Sequence, residues 1–268
     1  MNKHRLVIAN LKMNGSRKSV RAISQFIIQN KSRLSLVDLI FCPSDIYLER
    51  CIDDFQGIDT IQVGAQDLWS DNLFGGTGDT SAEMLVDLGV SYVIIGHSER
   101  RKVHQENDPL IAKKLESAVA RGLTPILCIG ETQEERIKGD TLKVLARQLK
   151  GLLNFTESVA SKLIIAYEPV WAVGSSKCAP LNEVNSVIQF IKGQFRQSRR
   201  EVNVVYGGSV SETNLIQLMS LQALDGVIVG RASLSGDRLM EICRLSGVEG
   251  SGNNAGKVGG AMMRMSVV

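Results

Sequence analysis

The chain has 268 residues, of which 44% are apolar and 22% charged, enough to bury a full core and remain soluble. Its net charge of +3 is spread without a basic block and aromatics make up only 5%, which argues against a nucleic-acid groove. No apolar stretch approaches the roughly 20 residues that span a bilayer, and the N-terminus lacks a signal-peptide pattern, so a cytoplasmic address is expected.

The first apolar run, Leu6 to Ala9, leads into Asn10-Leu11-Lys12-Met13-Asn14-Gly15. Alternation along an extended segment would aim Asn10 and Lys12 to the same side. An amide and a cation directed at one point suit the negative oxygen that forms when a carbon beside a carbonyl loses its proton. Val20, Ile23 and Ile27 then keep helical spacing. Runs at Leu39 to Cys42 and Ile61 to Gly64 follow, and after them a glycine-rich loop, Phe74 to Asp79.

The fourth run, Tyr92 to Ile95, delivers Gly96-His97-Ser98-Glu99-Arg100. Free N–H groups at the start of the next helical turn disfavour a positive imidazole, so His97 is expected to be a neutral hydrogen-bond donor. His4 and His104 lack that context and read as ordinary packing or surface residues. Asn107-Asp108-Pro109 marks a helix start. Pro125 to Ile129 forms the fifth run, and Thr132 with Glu135 has capping-box spacing directly after it.

Leu163 to Tyr167 ends on Glu168-Pro169, and proline cannot extend a strand ladder. A carboxylate at this exit, shielded by Val170 and Trp171, suits a general base whose basicity rises on desolvation. Val184, Val187, Ile188 and Ile191 give the clearest helical stripe. The last two runs, Val202 to Tyr206 and Val227 to Val229, end in Gly207-Gly208-Ser209 and Gly230-Arg231. Such turns let backbone N–H groups approach a phosphate closely, and Gly174 could add another N–H.

Eight strand-then-helix alternations, mostly with continuously apolar strands, predict an α/β fold of the (β/α)8 TIM barrel type over residues 1–246. No G-x-G-x-x-G follows the first strand, so a dinucleotide fold loses its main support. Residues 247–268, rich in Gly, Ser and Asn, read as a flexible tail outside the barrel. The five cysteines are scattered, with neither a disulfide framework nor a zinc pattern; Cys42 and Cys128 sit inside apolar runs as small hydrophobes.

Together these segments, from about residue 5 to residue 246, resemble the triosephosphate isomerase family in content and in order. The resemblance implies an aldose-ketose isomerase of central carbon metabolism (glycolysis and gluconeogenesis) that interconverts dihydroxyacetone phosphate and D-glyceraldehyde 3-phosphate through an enediolate. No metal or organic cofactor is implied. In that family's terms Glu168 is the base, His97 the neutral electrophile, Lys12 the enediolate-stabilising cation and Asn10 a hydrogen-bonding aid. Glu99 supports the lysine, while Gly174, Ser209, Gly230 and the N–H of Arg231 hold phosphate.

A lid over Pro169 to Ala179 and a homodimer, made by docking the Phe74 to Asp79 loop into a neighbouring subunit, are also implied. This chain departs from the family pattern at Leu11, Gly76, Ser176, Cys178 and Arg231, where an aromatic, an apolar residue, a glycine, a Thr or Ser and a second glycine are usual. The two rivals, a barrel acting on a different sugar phosphate and a non-catalytic scaffold, would each need changes at Lys12, His97 or Glu168 that the sequence lacks.

Overall fold

A computed structural model describes residues 4–70, 76–152, 163–174, 178–196 and 201–247. The strands are β1 (Arg5–Asn10), β2 (Val37–Cys42), β3 (Ile61–Ala65), β4 (Tyr92–Ile95), β5 (Thr124–Ile129), β6 (Ile164–Tyr167), β7 (Asn203–Tyr206) and β8 (Gly226–Val229). They pair in sequence order, all parallel, and β8 returns to β1, so the sheet closes on itself. The TIM barrel read from the sequence is the observed fold, with strand ends shifted by one or two residues.

The described helices are α1 (Arg17–Gln29), α2 (Leu48–Phe55), α3 (Ala82–Asp87), α4 (Ser98–Val103), α5 (Asp108–Ala120), α6 (Gln133–Ile137), α7 (Thr141–Leu149), α8 (Leu181–Arg196), α9 (Leu215–Met219) and α10 (Gly236–Ser246). None is long and apolar enough to cross a membrane. Of the expected features, Phe74 and Gly75 of the third loop, Ser175 to Lys177 of the lid and residues 248–268 of the tail lie outside the described residues.

Strand residues alternate between two apolar surroundings, which is why the runs are apolar throughout. Ile8, Ile40, Cys42, Ile94, Ile126, Cys128, Ile164, Ala166, Val205 and Ile228 pack together in one cluster inside the barrel. Val7, Ala9, Leu39, Phe41, Val93, Ile95, Val204 and Val227 join the larger cluster beneath the helices. Cys42 and Cys128 are both buried, as small hydrophobes in the interior cluster.

Local signals set the helices on this frame. In α1, Val20, Ile23 and Ile27 are buried, and in α8 the buried stripe is Val184, Val187, Ile188, Ile191 and Phe195. Thr132 and Glu135 form a reciprocal box, with the Thr132 N–H donating to Glu135 Oε2 at 2.8 Å and the Glu135 N–H to Thr132 Oγ1 at 3.2 Å. The Asn107 side chain caps α5 by accepting from the Leu110 N–H at 3.0 Å. Each cap satisfies an N–H that has no partner inside its helix.

Closure depends on one position without a side chain. A Cβ at Gly226 would lie 2.0 Å from the Leu6 carbonyl oxygen and 2.7 Å from its carbon, where β8 meets β1. Backbone cannot rotate out of the way, so Gly226→Ala should lower stability by about 3 kcal/mol or more in urea unfolding. Gly193, inside α8, has nothing within 4 Å of its would-be Cβ. Gly193→Ala should therefore raise stability by about 0.5 to 1 kcal/mol in the same measurement.

Candidate active site

A single cleft at the carboxyl ends of the strands is lined by Asn10, Lys12, His97, Glu168, Gly174, Ser209, Gly230 and Arg231. Every side chain or turn expected to bind or react is thus drawn to one place. Glu99 lies at its edge, joined to it through Lys12. His4 is elsewhere, paired with Asp38 at 2.9 Å, and His104 closes α4.

Glu168 follows β6 directly and is only 4% exposed. The backbone there leaves no room for neighbours with side chains. A Cβ on Gly207 would sit 2.4 Å from Glu168 Cγ, and one on Gly130 would sit 1.9 Å from its carbonyl oxygen. Gly130 is fixed by Gln148, whose amide oxygen accepts the Gly130 N–H at 2.9 Å and whose amide nitrogen donates to the Gly130 carbonyl at 3.2 Å.

Burial pushes the Glu168 carboxyl above its ordinary value of 4.5, against the opposing pull of His97, Lys12 and the Cys128 thiol. Its Oε2 is buried without a hydrogen-bond partner and lies 3.4 Å from His97 Nε2. An orphaned, poorly solvated oxygen facing a cleft is one that gains by taking a proton. Cys128, buried in the barrel interior, has its own thiol raised well above the usual range, by burial first and by the Glu168 carboxylate next.

His97 sits at the N-cap of α4, and its Nδ1 accepts the Glu99 N–H at 3.2 Å. An accepting Nδ1 carries no proton, so the ring's proton is on Nε2, the nitrogen that faces Glu168 and the cleft. With its proton on Nε2, the ring can donate a hydrogen bond into the cleft.

Lys12 departs from the extended geometry expected of it: its φ is +52°, in the left-handed region. Three contacts impose this conformation. The Lys12 N–H donates to Asn10 Oδ1 at 2.9 Å, and the Lys12 carbonyl accepts from Gln66 Nε2 at 2.9 Å and Ser44 Oγ at 3.0 Å. At the other end of the side chain, Nζ donates to Glu99 Oε1 at 2.6 Å. Asn10 and Lys12 still reach one cleft, but a strained turn held from three sides takes the place of alternation.

Gln66 and Ser44 carry no motif of their own, and sequence reasoning missed both. Behind them lies a buried charge cluster. Lys114 Nζ, fully buried, reaches Asp67 Oδ2 and Glu106 Oε1 at 2.7 Å each, and Arg100 reaches Asp67 at 2.8 Å and Glu106 at 2.6 Å. Burial pushes the Asp67 carboxyl up to about 6 in spite of Lys114. Burial pushes Glu106 the same way, but hydrogen bonds from Lys114 and Arg100 outweigh it and hold Glu106 below its ordinary value. Asp67 adjoins Gln66 and Arg100 adjoins Glu99, so the cluster sits behind both holders of Lys12.

Between Glu168 and Lys12 on the barrel rim, the turns after β7 and β8 place Ser209, Gly230 and Arg231. Asn214 Nδ2 donates to the Ser209 carbonyl at 2.8 Å, and Ser233 Oγ to the Asn10 carbonyl at 3.2 Å. Gly230 leaves space beside the Lys12 side chain, whose Cε would be 3.4 Å from a Cβ there. Gly174, at φ +70°, completes the rim from the segment after β6.

Comparison with known proteins gives this arrangement a family. A family model described as triosephosphate isomerase matches residues 5–246. The chain belongs to the triosephosphate isomerase family. It is 40% identical over 248 residues to the triosephosphate isomerases of Photorhabdus laumondii and Salmonella newport, covering 90% of this chain and 96% of each relative. The crystal structure of triosephosphate isomerase from Bartonella henselae superposes with a TM-score of 0.79 at 36% identity, covering 90% of this chain and 98% of that one. Membership makes the chain an aldose-ketose isomerase by class.

The raised Glu168 carboxyl gives a direct test. In a carboxyl-selective NMR titration Glu168 should take up its proton above pH 4.5, since burial disfavours the charged form. Replacing Lys12 by Met removes a nearby cation that favours the carboxylate, and should move the midpoint further up.

Proposed function

We propose that the enzyme interconverts dihydroxyacetone phosphate and D-glyceraldehyde 3-phosphate by moving one proton between adjacent carbons. Glu168 removes the proton, leaving an enediolate whose negative oxygen is met by the Nε2–H of neutral His97 and by Lys12. Asn10 adds a hydrogen bond, and Glu99 steadies the lysine. Backbone N–H groups of Gly174, Ser209, Gly230 and Arg231 hold the phosphate. The hydroxyl proton passes from one enediolate oxygen to the other through His97 Nε2, which gives up its own proton to one oxygen and takes the hydroxyl proton from the other, and the protonated Glu168 returns its proton to the neighbouring carbon, so both groups are regenerated each turnover.

The single observation that carries this reading is the Glu168 Oε2, buried and unpartnered, 3.4 Å from His97 Nε2 in a cleft shared with Lys12. Desolvation makes the carboxylate a stronger base than it is in water, and the fixed imidazole and ammonium need no rearrangement as charge develops. The wide separation of the phosphate-holding turns from Glu168 along the chain is no obstacle, because consecutive strand ends share one barrel mouth.

The active form in this reading is a cytoplasmic homodimer. The homodimer is supported by large apolar side chains left exposed on the segments that follow β1, β2 and β3: Met13 at 96%, Ile46 at 82% and Met84, in α3, at 57%. Those segments are tied together by Thr80 Oγ1 donating to Asp45 Oδ2 at 2.8 Å and Ser44 Oγ donating to the Lys12 carbonyl. Burial of such a patch against a second copy is worth roughly 25 cal/mol per Å² of apolar surface.

Coupled-assay kinetics test the base. Glu168→Asp withdraws the carboxylate from the reacting carbon and should lower kcat by about a hundredfold or more with folding intact, whereas equal rates would remove Glu168 from this role. The acid limb of kcat/KM should fall above pH 4.5, because the base must be ionised to work and burial raises its pKa. Removing residues 247–268 should leave turnover unchanged, in keeping with a catalytic unit that runs through α10.

A further inference from the structure

Arg101 does not line the cleft, yet it grips the backbone on both sides of His97. From α4 its N–H donates to the His97 carbonyl at 3.1 Å, and its side chain turns back so that Nε donates to the Gly96 carbonyl at 2.9 Å. The two peptide units that flank the imidazole are thus held by one residue. Gly96 permits this: its φ is +70°, in the left-handed region, and a Cβ there would lie 3.2 Å from Arg101 Nη2 and 3.1 Å from Ile111 Cδ1.

The same guanidinium crosses to the neighbouring strand. The ladder between β4 and β5 ends at the Ile95–Leu127 rung, and one position beyond it Arg101 Nη2 donates to the Cys128 carbonyl at 3.4 Å. Cys128 is the residue whose thiol favours the Glu168 carboxylate from inside the barrel. Nη1 donates to Asp108 Oδ1 at 2.6 Å, at the start of α5, and the other Asp108 oxygen accepts from Arg147 Nε at 3.0 Å. Three acceptors around one planar fork fix a guanidinium in direction as well as place, which a single ammonium cannot reproduce.

His97 needs that support. Its Nε2 stands 3.4 Å from Glu168 Oε2, and the ring itself is held by the Glu99 N–H on Nδ1 at 3.2 Å, in the first turn of a helix of six residues. A ring on such a cap follows the peptide planes beneath it, so a tilt at Gly96 is carried to Nε2.

We propose that Arg101 is a positioning residue for the isomerisation: by holding the carbonyls of Gly96, His97 and Cys128 at once, it sets the direction of the His97 ring against Glu168. The proposal rests on the isomerase reading of the cleft. With Arg101 in place, Nδ1 stays on the Glu99 N–H and the Nε2 proton points into the cleft. Without it, the Gly96 turn relaxes, the Glu99 contact lengthens and both ring tautomers become populated.

Arg101→Lys and Asp108→Asn in the full chain test this, with Arg147→Gln as the control, since Arg147 bonds Asp108 from its outer side. The readouts are kcat, KM, the thermal midpoint and the nitrogen NMR signals of the His97 ring. Arg101→Lys keeps a charge beside Asp108 and should lower kcat about thirtyfold. KM should stay within about threefold, because the turns proposed to hold phosphate follow β6, β7 and β8. Asp108→Asn leaves the guanidinium loosely held and should lower kcat about fivefold, whereas Arg147→Gln should stay within about twofold of wild type. The wild-type ring should show a protonated Nε2 and a bare Nδ1, and Arg101→Lys should show averaged signals of two tautomers.

A purely structural role would lower the midpoint and leave the kcat of the folded protein and the ring signals as in wild type; that pattern overturns the proposal. So does an unchanged ring spectrum beside a reduced kcat, or a loss in Arg147→Gln equal to that in Asp108→Asn. Should Arg101→Lys fail to fold, Asp108→Asn decides by the same readouts. A wild-type chain without isomerase activity would instead refute the proposed function. The ring spectrum then decides alone, and unchanged signals in Arg101→Lys refute the positioning of His97.

Discussion

Burying one carboxylate at a strand exit is the constraint to which the rest of the site answers. Glu168 can be enclosed only because Gly207 and Gly130 have no side chains, and Gly130 holds its line only because Gln148 grips its backbone on both sides. The cost is an oxygen with no hydrogen-bond partner, a loss of the order of 1 to 3 kcal/mol for a polar group, and more for an ionised one. The fold carries that cost in the cleft that also holds His97 and Lys12. His97 stands opposite, its Nδ1 accepting the Glu99 N–H and its Nε2 3.4 Å from Glu168 Oε2.

Lys12 shows a second use of stored strain. A non-glycine residue at positive φ costs about 1 kcal/mol or more, and it persists where surrounding contacts over-determine it. Asn10, Gln66 and Ser44 do so at the backbone, and Glu99 does so at the ammonium. The cluster of Asp67, Arg100, Glu106 and Lys114 then braces the neighbours of two of those holders. In such a cluster, removing one partner strands a buried charge, so its members are expected to act together and not as separable pairs.

The barrel was legible in the sequence because burial on both faces leaves strands apolar at every position, and Leu39 to Cys42 or Leu163 to Tyr167 could not easily be anything else. Asn107, Thr132 and Glu135 were legible as caps because capping is a contact over three residues. The candidate groups Lys12, His97 and Glu168 could be located because each follows its strand by one or two positions. Gln66, Ser44 and Gly130 could not, since what they do depends on which loops the closed barrel brings together. The turn at Lys12 was misjudged for the same reason: local alternation favours an extended residue, and only partners 32 and 54 positions away make the other conformation the lower one.

The join between β8 and β1 has a consequence for how the molecule is made. Leu6 and Gly226 pair directly although 220 positions separate them, and Arg5 adds bonds from its guanidinium to the carbonyls of Leu224 and Met219. During synthesis the first strand emerges long before its mate, so a growing polypeptide displays two unprotected sheet margins until the eighth strand arrives. Such margins recruit strands from other molecules. The ribosome-bound intermediate, more than the finished protein, is therefore the state in which this sequence is exposed to aggregation.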